Sequence, residues 1–328
     1  MLQRLDHIDQ RLLDEFQRDL PLVPRPFAAI ASVLDISEDR VIERLIALRA
    51  IGAITRVGAT VHPNTVGAST LAAISVPQER VDDVAAIINE ERGVNHSYLR
   101  EDGWNLWFVA TAPDADRLAA MLRRIEAKAG LPVLDLRLVK PFNIDLGFRL
   151  SGDRSLLRRR KEPDTGILRD GDDEIVQMMS EGLSMVRQPF ADLGAELGRS
   201  EADIIGRLAA LLAAGILSRI GVIVRHRVIG WTANAMVVWD IPEERIEPAG
   251  WALAQHPGVT LCYQRRTVPD VWPYGLYNMI HARSRAEAMQ SLDGAKRLPE
   301  LAGANCRVLF STRCFRQTGA LVRGEVAA

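Results

Sequence analysis

The sequence predicts an α+β protein that is a tandem duplication. Each copy is a helix-rich winged segment followed by a βαββαβ segment. Three observations predict this. First, "RPFAAIASVLDISEDRVIERLIALRAIGAITRVGATVHPNTVG" (25–67) returns as "QPFADLGAELGRSEADIIGRLAALLAAGILSRIGVIVRHRVIG" (188–230). Pro26, Phe27, Arg44, Gly52, Arg56, Gly58 and Gly67 recur as Pro189, Phe190, Arg207, Gly215, Arg219, Gly221 and Gly230, at one constant offset. Second, helical and strand-like apolar spacing succeed one another in the same order in both halves. Third, a polar, Gly/Pro-punctuated stretch (151–171) joins the halves and reads as a linker. A chain of 328 residues also exceeds one ordinary domain.

The elements follow in order. Leu5, Ile8, Leu12, Leu13 and Phe16 recur at helical spacing. Ala28–Leu34 is a short apolar helix. "ISEDRVIERLIALRAIGAI" starts with Ser37 as a helix cap and stops at Gly52. "AITRVGATVHP" then reads as a two-stranded wing, so 1–66 is expected to be a winged helix-turn-helix. Residues 67–150 read as strand 69–77, helix 79–92, strands 94–101 and 104–112, helix 114–130 and strand 134–145. That order is ferredoxin-like. The second copy repeats it: winged helix-turn-helix 172–229, then a ferredoxin-like domain 230–320 with strand 232–242, helix 245–257, strands 258–266 and 274–283, helix 284–298 and strand 306–316. Residues 321–328 are a tail.

Composition narrows the function classes. Net charge is −1, which argues against a strong non-specific nucleic-acid binder. No apolar run is long enough to span a membrane, and the N-terminus lacks the apolar core of a signal peptide, so a cytoplasmic protein is expected. Cys262, Cys306 and Cys314 are odd in number and lack a CxxC spacing, which supports neither a disulfide framework nor a cysteine metal site.

Helix-turn-helix followed by βαββαβ resembles the Lrp/AsnC family of transcription regulators over nearly all of each half. The recognition helices do not suit DNA. Their N-terminal ends carry Glu38 and Asp39, and Glu201 and Asp203, where base-reading cations are wanted. Arg44 and Arg207, inside those helices, are expected to pair with these acids. The wing residues Arg56, His62, Arg219, Arg225 and Arg227 keep a DNA reading open.

The hairpins carry the chemistry. All four tyrosines, Tyr98, Tyr263, Tyr274 and Tyr277, lie in them, with His96 and His281. Side chains alternate along a strand. His96, Tyr98 and Arg100 therefore share a face, as do Asn105, Trp107 and Val109, while Trp104, Leu106 and Phe108 take the other. In the second copy Tyr263 and Arg265 match Tyr98 and Arg100, and Tyr277 matches Trp107. "RTVPDVWPYG" lengthens the hairpin and adds Arg266, Trp272 and Tyr274. Arginine for carboxylates, Trp and Tyr for stacking, and His for a proton or a metal bond suit a flat, anionic ligand. An ordinary interface between two sheets, with Tyr and Arg at its rim, is the alternative.

"NHSYLREDGWNLWFVAT", "KPFNIDLGF" (140–148) and "LCYQRRTVPDVWPYGLYNMIH" (261–281) resemble the siroheme decarboxylase family. The first half is similar to its D-type subunit and the second to its L-type subunit, fused here. The resemblance implies that siroheme loses two acetate carboxyl groups as CO2, giving 12,18-didecarboxysiroheme for haem d1. It implies His96, Tyr98, His281 and Tyr263 as catalytic candidates. It implies Arg100, Asn105, Trp107, Arg265, Arg266, Trp272, Tyr274 and Tyr277 as substrate contacts. The substrate carries its own iron, with His96 or His281 as a candidate axial ligand, so no protein cofactor or metal is expected. Expected partners are siroheme and either further copies or related decarboxylase subunits, with no membrane and no DNA. The alternative function is an Lrp/AsnC-type or haem-responsive regulator. His96 is matched by Leu261, and His281 by Thr111. One productive pocket per chain is therefore expected, where the two sheets face each other.

Overall fold

The computed structural model describes residues 5–144 and 162–323. The first copy holds helices α1 (His7–Glu15), α2 (Pro26–Leu34) and α3 (Glu38–Ala50), strands β1 (Ile54–Val61) and β2 (Ala68–Ile74), helix α4 (Val81–Glu90), hairpin β3 (Val94–Arg100) and β4 (Leu106–Ala112), helix α5 (Ala115–Ala129) and strand β5 (Val133–Asn143). The second repeats the series as α6 (Asp172–Glu181), α7 (Pro189–Glu196), α8 (Glu201–Ala213), β6 (Leu217–Val224), β7 (Ala233–Asp240), α9 (Glu243–Gln255), β8 (Val259–Arg265), β9 (Leu276–Ala282), α10 (Arg285–Ala295) and β10 (Asn305–Gln317). The chain forms two compact units, and each draws on both copies: the helix-turn-helix segments form one and the βαββαβ segments the other. Most of the expected linker, with its Arg158–Lys161 run, lies outside the described residues, as do the end of "KPFNIDLGF" and most of the tail.

In the first unit local signals set the helices. Pro26 and Pro189 open α2 and α7, where no backbone N–H is needed. Ser37 and Ser200 cap α3 and α8, their hydroxyls accepting from the N–H of Arg40 and Asp203. The expected two-stranded wing is instead a single strand in each copy. The strands β1 and β6 pair antiparallel with each other, Gly58 opposite Gly221. The glycines explain the difference. They do not turn the chain; they let helix ends approach. A Cβ on Gly58 would lie 2.4 Å from the Met179 carbonyl oxygen, and one on Gly221 would lie 2.4 Å from the Gln17 carbonyl carbon.

The wing arginines meet those same helix ends. Arg219 is buried and its Nη1 donates to the Gln17 carbonyl, 3.1 Å away and just past α1. Arg56 donates to the Ala59 carbonyl at 3.1 Å. Burial, and then the neighbouring Arg219 charge, pushes its guanidinium down to about 10. Arg44 and Arg207 do not pair with the recognition-helix acids. Arg44 holds Asp6 at 2.5 Å and Asp9 at 2.8 Å, and Arg207 holds Asp172 at 2.5 Å. Each arginine instead faces the packed neighbour, α1 or α6, whose acids it holds. The acids are met from elsewhere, Glu38 by Arg25 and Asp39 by Arg187 at 2.8 Å.

The second unit closes on itself. Its eight strands form a barrel in the order β10-β3-β4-β2-β5-β8-β9-β7. Closure comes from exchange of the last strands. The start of β5 pairs with β2 and its end with β8 of the other copy; β10 pairs first with β7 and then with β3. The expected pair of facing sheets is thus joined at both edges. Helices α4 and α5 pack outside the first copy over Ala72, Ile74, Leu106 and Phe108. Helices α9 and α10 do the same over Val237, Trp239, Val259 and Ile280. A third apolar cluster, including Leu71, Trp107, Met236, Tyr277 and Leu309, fills the barrel between the copies.

The Arg207–Asp172 pair is nearly closed to solvent, with side-chain exposures of 6% and 1%. Asp172→Ala strands the guanidinium and should cost about 3–5 kcal/mol in urea denaturation. Asp6→Ala removes an exposed partner of Arg44 and the cap of α1, and should cost about 0.5–2 kcal/mol.

Candidate active site

The barrel interior gathers chemistry because two strands break their alternation. In β3 the register shifts between Val94 and His96, and in β8 between Val259 and Leu261. A bulge inserts one extra residue, here Asn95 or Thr260, and moves the next side chain to the opposite face. Val94 and Val259 thus pack under the outer helices, while His96 and Leu261 face inward beside Val109 and Met279. Tyr98 lies opposite Trp107, and Tyr263 opposite Tyr277, on the same inner face.

Arg100 and Arg265 occupy matching places. Arg100 is buried, lies over the Tyr98 ring at 5.6 Å, and donates from Nη1 to the Leu309 carbonyl at 3.0 Å. Arg265 lies over the Tyr263 ring at 4.6 Å and donates from Nη1 to the Leu136 carbonyl at 2.7 Å. Leu309 and Leu136 belong to the two exchanged strands. Burial pushes both guanidinium groups below the ordinary arginine range. Neither Nε has a hydrogen-bond partner, and among the described residues neither arginine forms an ion pair. A buried and a half-buried cation, each with an unused donor, leave the interior short of negative charge.

The histidines are held differently. His96 is half-buried, donates from Nδ1 to Asn95 Oδ1 at 2.7 Å, and stacks on Tyr98 with ring centres 6.3 Å apart. His281 is clamped at both ring nitrogens, Nδ1 by Thr260 Oγ1 at 2.7 Å and Nε2 by Asn234 Nδ2 at 2.8 Å. Asn234 reaches on to Arg100, whose Nη1 donates to its Oδ1 at 3.3 Å. Sequence reasoning missed Asn234, Thr260 and Asn95. The available signal was a polar residue in each of the otherwise apolar runs "ANAMVVW" and "GVTLCY".

The expected stacking residues form a packed cluster. Trp107 and Trp272 lie 5.3 Å apart, Trp272 and Tyr274 4.9 Å, and Tyr263 and Tyr277 5.8 Å. Trp272 Nε1 donates to the Tyr277 hydroxyl at 2.6 Å, and burial pushes that phenol far up. Trp107, Trp272 and Tyr277 are closed to solvent. Asn105 and Arg266 stand apart from the interior. The strand begins at Leu106, and the Asn105 amide is spent on the Val76 backbone, accepting at 2.9 Å and donating at 2.8 Å. Arg266 is exposed and pairs with Asp135 at 3.1 Å. Trp104, expected on the helix face, packs against the inner cluster, and its carbonyl accepts from Trp107 Nε1 at 2.5 Å.

Residues 9–54 and 172–217 match the profile described as the siroheme decarboxylase NirDL-like HTH domain, and residues 66–142 and 228–316 the AsnC-like ligand binding domain. A siroheme decarboxylase NirDL subunit from Paracoccus pantotrophus is 60% identical over 99% of both chains. The chain belongs to the siroheme decarboxylase NirDL family. The crystal structure of a siroheme decarboxylase NirDL has a TM-score of 0.68 at 27% identity, covering 96% of this chain and 94% of that one. The same fold solved in complex with an iron-uroporphyrin III analogue has a TM-score of 0.67 at 26% identity over the same shares. Among the described residues no helix of this family member is long and apolar enough to cross a membrane.

An unpaired buried charge costs stability that function repays. Arg100→Met should raise resistance to urea by about 1 kcal/mol or more while weakening binding of an anionic porphyrin, followed by its absorbance. Trp272→Ala should cost about 3–5 kcal/mol, since nothing nearby collapses easily into so large a void.

Proposed function

We propose that this chain is a siroheme decarboxylase, a carbon–carbon lyase that removes two acetate carboxyl groups as CO2 and yields 12,18-didecarboxysiroheme for haem d1. The pair Arg100 and Arg265 carries the reading: one buried and one half-buried arginine in one interior, both with an unused Nε donor and, among the described residues, neither in an ion pair. Siroheme is flat and bears eight carboxylates, so it supplies both the missing charge and the missing acceptors. Charge-assisted pairs in so dry a place are strong and orienting.

The reaction breaks the bond between an acetate methylene and its carboxyl carbon. CO2 departs, the bonding pair stays with the methylene and the conjugated ring, and a proton converts it to methyl. No oxidant or reductant is consumed. Arg100 and Arg265 hold carboxylates that are to be kept. In this reading His96 Nε2 faces the substrate's own iron, because Nδ1 is turned to Asn95. The proton comes from His281, from Tyr98 or from Tyr263. Iron arrives with the substrate, so the proposed reaction needs no resident cofactor. Only one histidine of each kind is present per chain, which favours one productive pocket.

The regulator reading has less to rest on. Arg219 is buried, and the first copy's recognition-helix acids are already ion-paired, so these residues offer a phosphate backbone little.

Anaerobic incubation with siroheme, followed by mass spectrometry of the tetrapyrrole, tests the proposal. Loss of two CO2 is expected; an unchanged substrate would overturn it. His96→Ala and His281→Ala should each lower the rate about 10²–10⁴-fold. Leu261→His should leave it nearly unchanged, and a large gain would contradict a single pocket.

A further inference from the structure

We propose that Asn234 is a positioning residue that sets the tautomer of His281 and links it to the occupancy of Arg100. The link to catalysis rests on the decarboxylase reading; the polarity of the hydrogen bonds rests on geometry alone. Asn234 on β7 lies directly opposite His281 on β9. A guanidinium only donates, so the amide atom facing Arg100 Nη1 is Oδ1, at 3.3 Å. Nδ2 then faces His281 Nε2 at 2.8 Å, and Nε2 must accept. The ring proton therefore sits on Nδ1 and is donated to Thr260 Oγ1 at 2.7 Å. Thr260 sends its own proton to the Met279 carbonyl, 3.1 Å away. Every donor in the chain meets an acceptor. Turning the amide over would set an N–H against the guanidinium.

The first copy carries different residues at these places. Ser69 and Thr111 stand in place of Asn234 and His281, and Asn95 donates to Thr111 Oγ1 at 3.4 Å. The relay is thus a property of the second copy, beside the arginine of the first.

The consequence is a ligand-gated proton. A carboxylate that engages Arg100 draws Nη1 away from Asn234. The amide is then released to turn its Oδ1 toward His281 Nε2, which takes a proton from solvent and becomes a donor. The neutral ring becomes an imidazolium only with an anion in place. That proton is the one delivered to the methylene after CO2 leaves, and the ring returns to its starting tautomer.

The test is nitrogen NMR of the full chain carrying ¹⁵N-histidine, with His281 assigned from its loss in His281→Gln. The free protein should show His281 protonated at Nδ1 only. Metal-free uroporphyrin, a diamagnetic octacarboxylate, should convert it to the doubly protonated ring. Asn234→Asp, which offers only acceptors to Nε2, should show the doubly protonated ring without porphyrin and no response to it. It should also raise the KM, because the new carboxylate competes with the substrate's for Arg100. A free protein protonated at Nε2 would overturn the positioning role. Porphyrin that binds, seen by its absorbance, without moving the His281 signal would overturn the link to Arg100. Failure of porphyrin to bind at all would remove the decarboxylase reading and the link together, while the tautomer of the free protein would still decide the role of Asn234.

Discussion

Two guanidinium groups inside a barrel are the constraint around which the βαββαβ unit is arranged. Burial disfavours their charge, and among the described residues neither is in an ion pair that offsets it. What the fold offers instead is weaker and fixed: a carbonyl from each exchanged strand and the face of one tyrosine apiece. The two carbonyls are in reach only because β5 and β10 cross from one copy to the other. The interior is therefore built with a charge deficit that an anionic ligand can close. Preorganised donors in a low-dielectric site need little rearrangement when the ligand arrives.

Duplication supplied two equal halves, and the inner face has since diverged. The arginine and its tyrosine are kept in both. The histidines are not: one copy carries His96 after its bulge, the other His281 on the neighbouring strand. The long hairpin of the second copy adds Trp272, which closes on Trp107 of the first. The side chains of the inner face thus differ between the copies, although the order of strands repeats.

The order of elements was legible in the sequence, because apolar spacing and the capping residues Ser37 and Ser200 act locally. The alternation argument placed His96, Tyr98 and Arg100 together, and they do share the inner face. Three things lay beyond it. The pairing of the two wings depends on Gly58 meeting Gly221, which are far apart in the chain. The partners of Arg44 and Arg207 depend on which helix packs against them. Asn105 depends on the backbone of Val76, a contact that no periodicity encodes. Local chemistry reads out of sequence; the spending of hydrogen bonds between distant segments does not.

Strand exchange also bears on how the molecule forms. Ser311 pairs with Arg100, so the last strand of the second copy completes the sheet of the first. Contacts of such separation carry a large loop-closure cost and slow folding. Neither half can finish its own sheet in isolation, and each would expose unpaired strand edges while waiting. A covalent join turns that wait into an intramolecular encounter at high effective concentration. Two halves made as separate chains would instead complete their sheets only when they meet, at a rate set by their abundance.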